Sequence, residues 1–393
     1  RLLESRQTEE MRILRAVACC ARQVLWDENE ISCDHIDNMV SVTISDVIGI
    51  SLIFVFALRV AAMFKVPSGR VSEKKCDNKR QLYLCLRPSW NIVFACIIKL
   101  LRTVAHLIRR DVNLIRLLTD HALPKFLLPW SVRCYKSNDP SEPRGEWIRP
   151  SGDSSPTSLT RRYILYFHGG AFCLCGPETH RDLISRLVQA TGAHVFALKY
   201  RRPPEHPFPA ALEDCVAAYE WLLRTADASQ IVFAGDSAGG NLAVSTILAC
   251  ASRNLPHPAG ALLLSPWVDI MDAGTSPSWV RNADVDYLPH DLTEQFARSY
   301  CGGAAPGELL SPALSDRLGS LPPLHVECGA CEMLADQVAA FCARARAAGA
   351  DVRCEMREDM VHNFVLFAFT GVPQCAAALR AAAAAAGCTH VVV

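Results

Sequence analysis

A glycine-rich turn in the middle of the chain constrains its fold more than any other feature. The pentapeptide Gly235-Asp236-Ser237-Ala238-Gly239 has the pattern G-x-S-x-G. It follows the apolar run 231–234 directly and is followed by a segment of helical periodicity. A strand that reverses this sharply into a helix needs small neighbouring residues and holds its central residue in a strained backbone. The turn therefore predicts that Ser237 lies at the carboxyl edge of a parallel sheet.

Short apolar runs alternate with helical segments on both sides of this turn. Buried strands are predicted at 163–167, 194–198, 231–234, 261–264 and 324–328, and a further strand at 352–356. Helices are predicted at 181–190, 210–224, 241–253, 336–348 and 374–386. Repeated βα units of this kind indicate an α/β fold, with a mostly parallel central sheet flanked by helices.

The composition excludes several classes of protein. Of 393 residues, 50% are hydrophobic and 20% are charged, and 40 basic residues balance 40 acidic ones. This balance argues against a disordered chain and against a basic nucleic-acid-binding protein, so no nucleic-acid partner is predicted. The 18 cysteines are irregularly spaced and are interpreted as mostly buried free thiols. The single C-x-x-C, Cys328 to Cys331, lacks a matching ligand pair, so neither a metal nor a cofactor is predicted.

A second glycine-containing motif follows the first predicted parallel strand. Residues 168–171 read His-Gly-Gly-Ala, and backbone amides in such a loop can bind a developing oxyanion. We expect the donors to be the amides of Gly169, Gly170 and Ala238. We interpret His168 as a side chain that braces the loop.

The late part of the chain offers a base and an acid in the order that such a serine requires. His362 lies in a predicted loop after the strand 352–356, from which a general base can reach Ser237. Glu332 follows the predicted strand 324–328 and is the favoured acid. Asp336, about one turn into the next helix, and Glu327, within the strand, are the alternatives.

Together these motifs resemble the hormone-sensitive-lipase family of α/β-hydrolases over residues 163–367. The resemblance rests on the 168–171 loop, the stretch 200–214 with its Pro-Pro-Glu-His-Pro segment, the Gly-Asp-Ser-Ala-Gly-Gly turn, Ser265-Pro266-Trp267 and His362-Asn363-Phe364. The acid position departs from the family, which commonly has Asp in an Asp-Pro-Leu setting.

The resemblance implies a serine carboxylic ester hydrolase that acts through an acyl-enzyme, with Ser237, His362 and Glu332 as a triad. It also implies a cap of N-terminal helices over the acyl pocket and a small hydrophobic ester as substrate. The family includes arylacetamide and membrane-anchored steryl-acetate deacetylases. An amidase-type deacetylase and a non-catalytic ligand-binding protein remain alternatives.

The N-terminal third predicts a membrane anchor. Residues 47–64 form an apolar run close to the length that spans a bilayer, interrupted by Arg59. Basic residues follow the run and are missing from the twenty residues before it, which favours a cytosolic catalytic domain. The chain is predicted to be a single-pass membrane protein, and the endoplasmic reticulum is a candidate for its membrane.

The predicted domain organisation follows from these segments. Residues 1–46 are unassigned and 47–64 form the transmembrane helix. Residues 65–158 contain cap helices, including a basic amphipathic helix at 90–110, and a linker at 137–158. The catalytic domain is predicted at 159–393, and the oligomeric state is left open.

Overall fold

A computed structural model describes residues 87–108, 112–122, 131–137, 139–152, 161–272 and 274–387. The chain divides into two units, with the boundary between Pro124 and Lys125. The segments 1–46 and 47–64, which carry the unassigned region and the predicted membrane helix, lie outside the described residues.

The described part of the first unit is helical. Helix α1 spans Ile92–Ile108 and helix α2 spans Val112–Leu117, followed by a π-helical turn at Leu118–Ala122. Phe94, Ile97 and Ile98 are buried on one face of α1, as the amphipathic pattern predicts. A helix is thus confirmed over residues 92–108 of the predicted 90–110, whereas its use as a cap stays a prediction.

Within the residues that the structure describes, no single helix has both the length and the apolar character needed to cross a bilayer. One strongly bent pair, Phe364–Thr370 with Pro373–Ala385, meets those two criteria only when its members are taken together.

The second unit is built on an eight-stranded sheet in the order β1-β2-β4-β3-β5-β6-β7-β8. The strands are β1 Val132–Lys136, β2 Gly145–Pro150, β3 Tyr163–Phe167, β4 His194–Leu198, β5 Ile231–Asp236, β6 Gly260–Leu264, β7 Leu324–Gly329 and β8 Val352–Arg357. The six strands from β3 to β8 are parallel, and β2 pairs antiparallel with both β1 and β4. The predicted mostly parallel sheet is confirmed.

Helices connect and cover these strands. They are α3 Arg181–Thr191, α4 Ala210–Leu222, α5 Ala238–Ser252, α6 Ser278–Arg281, α7 His290–Cys301, α8 Ala335–Ala347 and α9 Pro373–Ala385. Short 3₁₀ segments lie at Pro177–Thr179, Ala228–Gln230, Pro312–Leu314, Leu318–Ser320 and Phe364–Thr370. Five of the seven helices match predicted segments to within about three residues at either end, whereas α6 and α7 were not predicted.

The antiparallel hairpin corrects the predicted domain boundary. Strand β2 lies inside the stretch 137–158 that composition assigns to a linker, and both β1 and β2 precede residue 159. The sheet therefore begins earlier in the chain than predicted. The physical reason is that β1 buries only Val132, so it carries no apolar run. The hairpin is tied to the body of the unit by Glu146, whose buried carboxylate receives two hydrogen bonds from Arg181.

The register of the parallel strands places their carboxyl ends side by side. Phe167 of β3 lies opposite Gly235 of β5, and Leu264 of β6 lies opposite both Asp236 and Glu327. Loops that leave these strands therefore meet along one edge of the sheet, where ligand sites of open α/β sheets form.

Close packing between β3 and the start of α5 needs the second glycine of the turn. A Cβ added to Gly239 would lie 1.9 Å from the carbonyl oxygen of Phe167, which is backbone and cannot rotate away. We expect Gly239→Ala to destabilise the protein by about 2 kcal/mol or more, because the helix and strand must separate. Urea unfolding measures this loss. The control is Gly307→Ala, where nothing lies within 4 Å of the added atom. Equal unfolding midpoints for the two variants would contradict this account of the packing.

Candidate active site

Ser237 occupies the junction between β5 and α5 in a strained conformation. Its φ and ψ are 51° and −119°, a combination that non-glycine residues rarely adopt. Two backbone hydrogen bonds of 2.9 Å hold it there, one from its own amide to the Leu264 carbonyl and one from the Trp267 amide to its carbonyl. The strain predicted from the pentapeptide is thus present, and the side chain lies at the carboxyl edge of the sheet.

His362 reaches Ser237 from the loop after β8. Its Nε2 atom lies 2.9 Å from Ser237 Oγ. The loop is held against the sheet edge by the Asn363 amide, which donates to Ser265 Oγ at 3.1 Å. Asn363 itself has a φ of 50°, so the chain turns immediately after the histidine and into the 3₁₀ segment Phe364–Thr370. This turn presents the imidazole to the serine.

Glu332 approaches the other nitrogen of the same imidazole. Its Oε2 atom lies 2.7 Å from His362 Nδ1. Its Oε1 atom accepts hydrogen bonds from the Gly329 amide and the Cys328 thiol, each at 2.6 Å. Burial, together with the charge of Glu332, raises the pKa of the Cys328 thiol, so that this group stays protonated and remains a donor. Because a carboxylate can only accept, His362 carries its proton on Nδ1 and offers Nε2 to the serine hydroxyl.

The carboxylates of the two alternative acids, Asp336 and Glu327, bind other residues. The Asp336 carboxylate accepts from the Ser278 amide at 2.8 Å and pairs with Arg281 at 2.7 Å. Glu327 pairs with Arg357 at 2.7 Å and with His325 at 2.9 Å. The structure therefore brings Glu332, and neither alternative, to His362.

The electrostatic surroundings of His362 favour its protonated form. Burial alone would lower the pKa of the imidazole, but the hydrogen bond and charge of Glu332, with the charges of Asp286 and Asp236, outweigh it. The pKa of His362 is therefore raised above its ordinary value. An imidazolium formed by taking the serine proton would be stabilised in this environment.

Asp236, the residue before the serine, joins the surrounding loops. It is fully buried, and its Oδ1 atom accepts from the Tyr166 hydroxyl at 2.6 Å and from the Gly169 amide at 2.9 Å. Its Oδ2 atom accepts from the Asn363 side-chain amide at 2.8 Å and lies 3.2 Å from His180 Nε2. Burial would raise the pKa of this carboxyl, yet His180 and the donated hydrogen bonds hold it below the usual value. Asp236 is therefore a buried anion with four partners.

The contact with Asp236 corrects the predicted oxyanion donors. Because the Gly169 amide donates to Asp236, it is not available to a substrate oxygen, and the prediction for Gly169 was wrong. The next two residues turn with φ of 105° at Gly170 and 50° at Ala171. Among the described residues, the amides of Gly170, Ala171 and Ala238 have no intramolecular acceptor. These three amides can receive a developing oxyanion.

His168 supports the same loop from behind. Its ring stacks on Tyr200 with centroids 4.1 Å apart, and its Nδ1 atom lies 2.7 Å from the Gly169 carbonyl oxygen. The Tyr200 hydroxyl donates to the His168 carbonyl at 2.7 Å. Burial lowers the pKa of His168 to about 3, so the ring is a neutral packing group. This agrees with its interpretation as a brace.

Two polar residues of the site were not predicted from the sequence. His180 and Asn363 complete the shell of Asp236, and only Asn363 stood in a motif that the sequence singled out. A signal for Asp236 was present, since a carboxylate within a buried glycine-rich turn must find donors. Its particular donors could not be read from the pattern.

Comparison with known proteins agrees with this architecture. Residues 164–366 match the model of a family described as alpha/beta hydrolase fold. The chain is 41% identical over 219 residues to an acetyl-hydrolase of Streptomyces hygroscopicus, covering 55% of this chain and 71% of the relative. It is 34% identical over 228 residues to a carboxylesterase of Mycobacterium tuberculosis, covering 55% and 70%. A solved esterase of the bacterial hormone-sensitive lipase family superposes with a TM-score of 0.69 at 34% identity, covering 78% of this chain and 99% of that one.

The chain therefore belongs to the α/β-hydrolase fold family. Within that family it is a hormone-sensitive-lipase-like member, as its motifs and its structural likeness both indicate. The resemblance to the hormone-sensitive-lipase family drawn from the sequence is confirmed.

The position of Glu332 generates a test of the acid. Glu332→Gln keeps the shape of the side chain but removes the charge that raises the pKa of His362. We expect kcat to fall by about 10³-fold or more, because the imidazole loses its orienting partner. We expect the acidic limb of the pH–rate profile to move to lower pH, because the histidine is then easier to deprotonate. Steady-state ester hydrolysis between pH 5 and pH 9 measures both.

Asp336→Asn is the matched control for this variant. It alters a carboxylate four residues away that pairs with Arg281 and Ser278. We expect kcat to stay within about twofold of the wild type, because no member of the site loses a contact. A large loss in Asp336→Asn with an active Glu332→Gln would reverse the assignment.

Proposed function

We infer that this α/β-hydrolase is a serine carboxylic ester hydrolase with Ser237 as nucleophile, His362 as base and Glu332 as acid. The observation that carries this inference is the continuous contact from Glu332 to His362 at 2.7 Å and from His362 to Ser237 at 2.9 Å. A nucleophile, a base and an orienting group within hydrogen-bond reach are the signature of acyl transfer through a covalent intermediate.

Each step of the proposed reaction is assigned to a residue of the site. His362 takes the proton of Ser237, whose oxygen attacks the ester carbonyl, and the resulting oxyanion lies against the amides of Gly170, Ala171 and Ala238. His362 then gives the proton to the leaving alcohol, which leaves an acyl-enzyme. Water, deprotonated by the same imidazole, attacks the acyl group and releases the acid and free serine. The helix α5, which begins at Ala238, adds its N-terminal dipole to the oxyanion site.

The preferred substrates are hydrophobic esters with short acyl groups. Ser237 is nearly buried, with 6% of its surface exposed. The Tyr287 ring lies 6.3 Å from the His362 ring and 6.0 Å from the Phe367 ring, so the base has aromatic neighbours. Similarity to an acetyl-hydrolase and to an ethyl acetate hydrolase of Pseudomonas putida supports a short acyl group.

Hydrolysis of p-nitrophenyl esters from acetyl to dodecanoyl tests this function. We expect the purified protein to prefer the shorter acyl chains, and Ser237→Ala to lower kcat by at least about 10⁴-fold, because no acyl-enzyme can form. The variant differs by a single buried oxygen, so its unfolding midpoint serves as the control for folding. Equal rates for both proteins over the whole series would reject the serine mechanism and favour a ligand-binding protein.

We also propose that residues 47–64 anchor the protein in a membrane, with the hydrolase domain in the cytosol. The apolar length of this segment and the basic residues after it support the proposal. An anchor of this kind would place the esterase beside lipophilic substrates dissolved in the bilayer.

Protease treatment of sealed microsomes tests the anchor and its orientation. We expect the full chain to remain in the pellet after alkaline carbonate extraction, because a spanning helix is not removed by high pH. We expect a C-terminal tag to be digested without detergent. A tag that is protected until detergent is added would reverse the orientation, and release by carbonate would reject the anchor.

A further inference from the structure

A second carboxylate near the base takes no part in the triad described above. Asp286 lies in the segment between α6 and α7 and is fully buried. Among the residues that the structure describes, its hydrogen-bond partners are three backbone amides and no cationic side chain. Burying a carboxylate without a cationic partner costs free energy. The backbone segments whose amides donate to it therefore indicate its structural role.

Two of the three amides belong to the turns that carry the acid and the base, and the third is that of the next residue in its own segment, Tyr287. Oδ1 of Asp286 accepts from the His362 amide at 3.2 Å and from the Tyr287 amide at 2.9 Å. Oδ2 accepts from the Met333 amide at 2.8 Å, and Met333 directly follows Glu332 in the chain. One carboxylate thus connects the backbone of the base to the backbone beside the acid.

The same segment contacts the acid turn a second time. The Asn282 side-chain amide donates to the Glu332 carbonyl at 2.8 Å and to the Ala330 carbonyl at 3.2 Å. The Asp286 amide in turn donates to the Asn282 carbonyl at 2.9 Å, which fixes the two polar residues relative to each other. The segment therefore contacts the acid turn through the side-chain amide of Asn282, and its Asp286 carboxylate bridges the acid turn and the base turn.

We propose that Asp286 is a positioning residue for the ester hydrolysis inferred above, which aligns Glu332 and His362 and places a further negative charge near the imidazolium. The bond from Glu332 to His362 joins two loops that leave different strands, β7 and β8. Its length depends on how those loops sit relative to each other, and Asp286 sets that spacing through their main chains. A displacement of about 1 Å at such a contact is enough to reduce turnover strongly.

Charges from three elements face the imidazole. Glu332 follows β7, Asp236 ends β5 and Asp286 precedes α7, and each of them raises the pKa of His362. His180 partners Asp236, and the neutral Tyr287 ring is the nearest aromatic neighbour on the side of α7. Asp286 itself faces His362 and Glu332, and burial raises its pKa to about 6. Removing the Asp286 charge is therefore expected to lower the pKa of His362, because the imidazolium becomes less stable.

Asp286→Asn is the main test, because it keeps the shape but replaces one acceptor with a donor that opposes a backbone amide. We expect kcat per active site to fall by about 10- to 100-fold with KM for p-nitrophenyl acetate little changed, because the triad is misaligned. We expect the acidic limb of kcat/KM to move to lower pH by about half a unit or more, because His362 loses a stabilising charge. Labelling of Ser237 with a fluorophosphonate counts the active sites.

The pH limb separates positioning from a merely structural role. If Asp286 only supports folding, the variant has fewer active sites, but each retains the wild-type kcat and pH limb. That result, or a wild-type profile in full, would overturn the proposal. Asp336→Asn is the matched control, since Asp336 also accepts a backbone amide but contacts neither Glu332 nor His362.

Asp286→Glu addresses the same question if the asparagine variant does not fold. It keeps the charge but displaces it by one methylene, so we expect a reduced kcat with the acidic limb close to that of the wild type. An unchanged kcat would overturn the proposal. Absence of turnover in the wild-type protein would instead reject the proposed function, which keeps the two failures distinct.

Discussion

The buried carboxylate of Asp236 is the interaction on which the geometry of the site depends. It directly precedes Ser237, and its oxygens contact four parts of the chain. These are Tyr166 in β3, Gly169 in the 168–171 loop, His180 just before α3 and Asn363 in the loop after β8. A buried anion that lost one of these donors would be left partly unsatisfied, so the carboxylate holds all four together. The positions of Gly169 and Asn363, and through them those of Gly170 and His362, follow from this single charge.

The strain at Ser237 is maintained by the sheet and the helix on either side of it. The hydrogen bond from its amide to Leu264 extends the pairing of β5 with β6 by one residue beyond the strand. Gly239 lets α5 start against the end of β3, where no side chain would fit. An unusual conformation of this kind persists only where the surrounding packing over-determines it. Ser237 is therefore presented by the core of the fold, which explains why it is nearly buried.

The sequence predicted those features that depend on local pattern and chain order. The buried strands β3 to β7 could be placed because each is a short apolar run. Glu332 and His362 could be selected because each follows a predicted strand, and they come after Ser237 in the order acid, then base. The hairpin β1–β2 was missed because its pattern is mostly polar. Gly169 was misassigned because its amide donates to Asp236, which lies 67 residues further along the chain. The motif at 168–171 does not reveal that acceptor.

The glutamate at the acid position changes what the surrounding chain must do. Its side chain has one more rotatable bond than aspartate, so orienting the imidazole requires more restraint. The Gly329 amide and the Cys328 thiol fix one carboxylate oxygen, and the other is left for His362. Asp286 restrains the backbone next to it, at Met333. A glutamate can thus orient the imidazole as an aspartate would when both its carboxylate and its main chain are restrained. The hydrogen bonds of this turn supply those two restraints.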